Sequence, residues 1–192
     1  VRELAPLIAA ADAVAVGPGL GTGRRARAVF DAVAGGGHLL VVDADALNLL
    51  AERPRRRENW ILTPHPGEAA RLLATDVAAV QGDRLQAAKA IAKRYGGVCV
   101  LKGAGTLVQS GAGSAWICDR GNPGLATAGS GDVLTGVIAA LLTRSIDAGH
   151  CAAVAVLLHA EAGDRAARSG ERGMIAGDVV AQLRAVVNSS WT

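Results

Sequence analysis

The stretch Gly121-Asn122-Pro123-Gly124-Leu125-Ala126-Thr127-Ala128-Gly129-Ser130-Gly131-Asp132-Val133-Leu134-Thr135-Gly136 joins a glycine-rich turn to an apolar run. Glycines at 129 and 131 let the backbone turn tightly and bring its amides close to an anion, and Val133 to Leu142 supply a helix behind them. A helix start offers unpaired N–H groups and the positive end of the helix dipole, so phosphate or a developing oxyanion is stabilised there. Asp132 has two readings in this setting. It is a first-turn acid favoured by the dipole, or it is a carboxylate that removes the proton of a substrate hydroxyl as that hydroxyl attacks phosphorus. The upstream glycines exceed what a simple cap needs.

Around this stretch, short β-branched runs alternate with alanine-rich helical ones, the pattern of a layered α/β domain. Strands are predicted over Ala13 to Val16, His38 to Val42, Trp60 to Thr63 and Val98 to Leu101, with Leu107 to Val108 and Ala115 to Cys118 forming a hairpin. Helices are predicted over Arg24 to Ala34, from an Asp83 N-cap to Tyr95, and over Asp132 to Leu142, Cys151 to Ala167 and Asp178 to Val187. Each polar or glycine cluster falls just after a strand or at a helix start, where open α/β sheets bind ligands. One cleft is therefore expected.

Composition narrows the function classes. The chain has 192 residues, 51% of them hydrophobic, which is enough for one sizeable core and short for two domains. The net charge is +3, but the arginines are dispersed among acids and aromatic residues make up only 3%, which argues against nucleic acid. The basic run Arg53 to Arg57 reads as a solvated loop. Cys99, Cys118 and Cys151 lack metal spacing and are odd in number, which fits a reducing, cytoplasmic compartment. No run of about 18 apolar residues suggests a membrane span.

Several motifs read together carry a resemblance. The GSGD segment resembles the GxGD anion hole of ribokinase-like enzymes. With GNPG and DVLTG, and with GPGLG at 17–21, DADAL at 43–47, TPHPGE at 63–68, KGAGT at 102–106 and GMIAGD at 173–178 in the same order, the chain resembles the ADP-dependent NAD(P)H-hydrate dehydratases. The resemblance implies a ribokinase-like α/β/α domain with a mostly parallel central sheet, covering residues 1–192 as a single domain. It also implies that an amino-terminal stretch with a first strand and glycine-rich turn, usual in the family, is absent before Val1, which leaves a sheet edge uncovered. Leu125, Ala128 and Ser130 stand where the family more often has Met, Gly and Met.

The implied reaction is metabolite repair. ADP phosphorylates the ring hydroxyl of the S-form of hydrated NADH or NADPH, phosphate then leaves, and AMP and the restored cofactor are products. By motif, Asp132 is the base, and the amides of Gly129, Ser130 and Gly131 form the anion hole. Gly19, Gly21 and His65 join Asp132 on the hydrated cofactor. Lys102, Gly103, Ala104, Gly105, Thr106 and Gly131 bind the nucleotide; an ammonium followed by glycines allows close backbone approach to an anion. Glu68 resembles the acid of the ribokinase-type Asn-x-x-Glu motif, but His65 occupies the asparagine position, so Glu68 would act on Mg2+ indirectly. A homotetramer is implied as well.

Other readings stay open on the residues. GPGLG lacks the GxGxxG spacing of a dinucleotide fold. Asp43 and Asp45 suit a metal or ribose, or cap the helix at Leu47, the preferred role for Asp45. His38, His150 and His159 read as structural. A small-molecule kinase on the same scaffold and a non-catalytic nucleotide-binding subunit are the alternatives to the dehydratase.

Overall fold

A computed structural model describes residues 3–111, 113, 115–144 and 147–189. In chain order the elements are helix α1 (Ala5–Ala10), strand β1 (Ala13–Val16), α2 (Arg24–Gly35), β2 (Leu39–Val42), α3 (Ala44–Glu52), β3 (Trp60–Leu62), α4 (Pro66–Leu73), α5 (Val77–Gly82), α6 (Arg84–Tyr95), β4 (Val98–Leu101), β5 (Leu107–Ser110) and β6 (Ala115–Ile117). A 3-10 turn (Pro123–Leu125) follows, then α7 (Ser130–Leu142), α8 (Ala148–Ala167) and α9 (Ala176–Val187).

The six strands form one sheet in the order β1-β2-β3-β4-β5-β6. The first four run parallel, with Val16 opposite Val42 and Val42 opposite Leu62. The last two are antiparallel, and β5 and β6 form the predicted hairpin. Alternation along the strands sends side chains to opposite faces. Leu40, Val42, Trp60, Leu62, Cys99 and Leu101 pack with α2, α3, α4 and α6, while Val41, Ile61, Val98 and Val100 pack with α7 and α8. Both faces of β2, β3 and β4 are thereby covered, which is why these strands read as continuous apolar runs rather than alternating ones. A third apolar cluster, including Leu158, Ala162, Met174, Val179 and Val186, locks α9 onto α8.

The strand positions match the sequence expectation to within two residues, and the helix starts are revised. α7 begins at Ser130, α8 at Ala148 and α9 at Ala176, each two or three residues before its expected start, because a periodic pattern is read only from the strongly apolar positions that follow. The short helices α1 and α5 are additions; at six residues each, their periodicity is too brief to register. Asp83 does cap α6, its side chain accepting from the Gln86 N–H at 2.8 Å. Among the described residues, strand β1 pairs only with β2 and forms one edge of the sheet.

Candidate functional site

The carboxyl ends of the four parallel strands deliver the polar clusters to one rim. Gly17 follows β1, Asp43 follows β2, Thr63 to His65 follow β3, and Lys102 follows β4. Because parallel neighbours end level with one another, residues distant in sequence meet here. The Lys102 Nζ lies 2.6 Å from Asp43 Oδ1 and 3.9 Å from Glu68 Oε2. Asp43 is 1% exposed, and its other oxygen accepts from the Thr135 hydroxyl of α7 at 2.8 Å. A buried carboxylate needs such partners, since an isolated charge in a dry interior is strongly disfavoured.

Helix α7 aims its start at the same rim. Gly129 takes a left-handed conformation, φ 83°, as its N-cap residue, a geometry that glycine adopts without steric cost. A Cβ on Gly131 would lie 3.2 Å from the Lys102 Nζ and 3.9 Å from Asp43 Oδ2, so the first turn of α7 abuts the ammonium. Ser130 is buried, and behind it stands His159 of α8, whose Nε2–H donates to the Ser130 carbonyl at 3.0 Å and faces its Oγ at 3.2 Å. Burial pushes the His159 pKa down, and the Lys102 charge adds to this, against the opposing Ser130 carbonyl. The imidazole is thus held neutral. Asp132, one residue beyond Gly131, is exposed, and no hydrogen bond or ion pair engages its side chain among the described residues.

His65 and Glu68 form a reciprocal cap on α4. The His65 Nδ1 accepts from the Gly67 and Glu68 amides at 2.9 and 3.3 Å, and Glu68 Oε2 accepts from the His65 amide at 2.7 Å. An Nδ1 that accepts leaves the proton on Nε2, at the ring's outer edge. His65 is half exposed and Glu68 buried, with Nε2 3.5 Å from Glu68 Oε1. Glu68 is therefore a first-turn acid of α4, and it sits beside Lys102 as well.

The remaining loops close the rim. Asp45 accepts from the Gly21 amide at 2.7 Å, so it ties GPGLG to α3. This corrects the capping role expected of it: Asp43 is the N-cap residue of α3, without a side-chain cap bond, and Asp45 points back across the rim instead. Gly19 and Gly21 face open space. The GNPG turn is anchored from α8, where Asp164 accepts from the Gly121 amide at 3.0 Å and the Asn122 side chain at 2.9 Å. Lys102, Glu68, Ser130 and Gly131 are thus brought together. Thr135, Asp164 and the contact of His159 with Ser130 went unrecognised in the sequence, because helical residues facing a loop leave no local pattern. His38 and His150 show no link to the rim; His150 engages Asp147 at the start of α8.

This arrangement, a mostly parallel sheet between helical layers with a helix start facing the strand ends, defines a ribokinase-like α/β protein. The chain belongs to the NAD(P)H-hydrate dehydratase family, whose model matches residues 2–184. It is 46% identical over 187 residues to a bifunctional NAD(P)H-hydrate repair enzyme of Coxiella burnetii, covering 97% of this chain and 38% of that protein. It is 43% identical over 180 residues to an ADP-dependent (S)-NAD(P)H-hydrate dehydratase of Neisseria meningitidis, covering 88% of this chain and 60% of that one. Among solved structures, the ADP/ATP-dependent NAD(P)H-hydrate dehydratase of Bacillus subtilis, co-crystallised with ATP and Mg2+ and soaked with CoA, superposes with a TM-score of 0.81. Identity there is 30%, over 94% of this chain and 69% of that chain. The chain spans less than two thirds of the length of these curated relatives.

Proposed function

We propose that this chain, as a single domain, dehydrates the S-form of hydrated NADH or NADPH with ADP as phosphoryl donor. The observation that carries the reading is the meeting of the Lys102 ammonium with the amino-terminal turn of α7, one residue from the exposed carboxylate of Asp132. An ammonium and a helix start together favour a phosphate, and in this reading Asp132 acts where that phosphate is transferred.

In this reading Lys102 to Thr106, with Gly131, take the nucleotide phosphates, and Gly19, Gly21 and His65 line the hydrated nicotinamide. Asp132 takes the proton of the ring hydroxyl as its oxygen attacks the β-phosphorus of ADP, and the bond to AMP breaks. The amides of Gly129, Ser130 and Gly131 hold the charge that develops on the phosphoryl oxygens. The phosphorylated carbon then loses phosphate while its ring neighbour loses a proton, which restores the double bond.

Mg2+ fits as a companion of the nucleotide. Asp43 spends its two oxygens on Lys102 and Thr135, and Glu68 holds the His65 amide. Among the described residues no cluster of three or more carboxylate, histidine or cysteine ligands converges. Magnesium commonly arrives on phosphates and keeps several waters; Glu68 would hold such a water. Bound ions of this kind neutralise phosphate charge.

Among the described residues no helix is long and apolar enough to cross a membrane. We place the protein in the cytoplasm as a homo-oligomer, tetrameric in the family's manner, acting on small molecules rather than nucleic acid. The test is incubation of the folded protein with hydrated NADH and either ADP or ATP. Return of the reduced cofactor's absorbance, with AMP and phosphate formed from ADP, is expected. A stable phosphorylated product would make it a kinase, and nucleotide binding without any turnover would make it a binding subunit.

A further inference from the structure

Arg84, the first residue of α6, lies behind the KGAGT loop. Its Nη2 faces three backbone carbonyls, those of Leu101 at 3.2 Å, Lys102 at 3.5 Å and Gly105 at 3.4 Å, and its Nη1 donates to the Gln81 side chain at 2.9 Å. The loop lies directly on the guanidinium: Gly103 has φ 143°, and a Cβ there would come 2.9 Å from Nη1. The Asp83 cap sets the start of α6 and so aims Arg84.

We infer that Arg84 is a positioning residue for nucleotide binding, holding the carbonyls of the Lys102–Thr106 loop inward so that its amides face a nucleoside diphosphate or triphosphate. The inference rests on the reading of that loop as the phosphate segment.

The physical reason lies in the peptide plane. In a trans peptide the C=O of one residue and the N–H of the next point in opposite directions. Turning the Lys102 carbonyl onto Arg84 turns the Gly103 N–H away from it, and the Gly105 carbonyl does the same for the Thr106 N–H. Without the guanidinium, those carbonyls are free to rotate toward the rim, where their negative ends would repel a phosphate. Arg84 also leaves a positive charge directly behind the loop, partly withdrawn from water, so its field acts on the ligand side. A lysine supplies the charge but not the planar fork that spans several carbonyls.

The experiment compares Arg84→Met and Arg84→Lys with the parent chain. Three quantities are read: the Kd for ADP by calorimetry, the KM values for ADP and hydrated NADH with kcat, and amide hydrogen exchange across residues 101–107 in nucleotide-free protein. The expected result is an ADP Kd and KM raised about tenfold or more in Arg84→Met, the scale of losing a charge-assisted anchor. The KM for hydrated NADH and kcat at saturating ADP should stay within about twofold, and loop exchange should quicken. Added ethylguanidinium should restore part of the ADP affinity to Arg84→Ala.

An unchanged ADP affinity in folded Arg84→Met overturns the inference, as does an equal rise in both KM values, which marks general damage to the fold. If the parent chain itself fails to bind ADP, the proposed site is at fault. The exchange measurement then still decides whether Arg84 holds the loop, with unaltered exchange counting against it.

Discussion

The Lys102 ammonium is 2.6 Å from Oδ1 of Asp43, a carboxylate almost wholly withdrawn from solvent. The pair joins the ends of β2 and β4, two strands separated in the sheet by β3. Its placement explains why a charged residue follows β4: the ammonium reaches across the end of β3 to the end of β2 while keeping a face toward the α7 turn.

Removing the ammonium should leave Asp43 as an unpaired buried charge. Lys102→Met is expected to cost about 3 kcal/mol of stability, the scale found when one partner of a buried pair is deleted. Adding Asp43→Asn should recover much of that loss without recovering ADP binding. Urea unfolding of the two single variants and the double variant, with m-values compared, reads the coupling. A double variant no more stable than Lys102→Met would show that the pair does not carry the effect.

Asp132 separates its two readings by a second substitution. As a first-turn acid it would contribute at most about 1 kcal/mol through the helix dipole. As a base, its loss should lower turnover by about a thousandfold, within the range of general-base deletions. Asp132→Asn keeps the size and exposure of the side chain, so the expected outcome is near-parental stability, retained ADP binding and lost dehydration. Activity close to the parent's would return Asp132 to the dipole role.

Much of this layout was legible because β2, β3 and β4 lie between two helical layers. Burial on both faces forces the continuous apolar runs Leu39 to Val42, Trp60 to Leu62 and Val98 to Leu101, and Asp43, Pro64 and Gly103 mark where these strands stop. The location of the polar rim was legible for a related reason, since Lys102 and Asp43 each interrupt an apolar pattern at a strand end, whereas their ion pair was not, and Asp43 had read as a metal or ribose ligand or a cap. What stayed hidden acts across sequence distance. Thr135 meets Asp43 over 92 residues and Asp164 meets Asn122 over 42, and each looks locally like an ordinary helical polar residue. Asp45 was misread because an acid at a helix start suits a cap, whereas here a tertiary bond to Gly21 wins.

The anchor of the GNPG turn should matter for catalysis as well as for folding. Asp164→Ala strips the acceptor from the Gly121 amide and the Asn122 side chain, and a loss of about 2 kcal/mol is expected for two bonds to a charged acceptor. Because that turn leads into α7, kcat should fall at least tenfold, the kind of penalty that small misplacements of catalytic groups bring. Asp164→Asn, which still accepts one bond, should lie between. Steady-state kinetics on variants checked for equal folded fractions tests this, and an unaltered kcat in Asp164→Ala would limit the anchor to stability.

His159 gives the protein a pH dependence whose sign follows from its surroundings. Burial lowers its pKa below the ordinary histidine value, mainly because a buried imidazolium loses its hydration. In the unfolded chain the ring takes up a proton as pH falls through its usual range near 6.5, while the folded chain does not, so the unfolded state binds more protons there. Stability contributed by neutral His159 is therefore present above that range and is lost as pH falls below it, until the depressed folded value is reached. Replacement by Gln keeps a donor for the Ser130 carbonyl and removes the titration, so His159→Gln should flatten the stability profile between pH 7.5 and about 5. Urea midpoints measured across that interval provide the comparison; a parental slope that survives in the variant would assign the dependence to other groups.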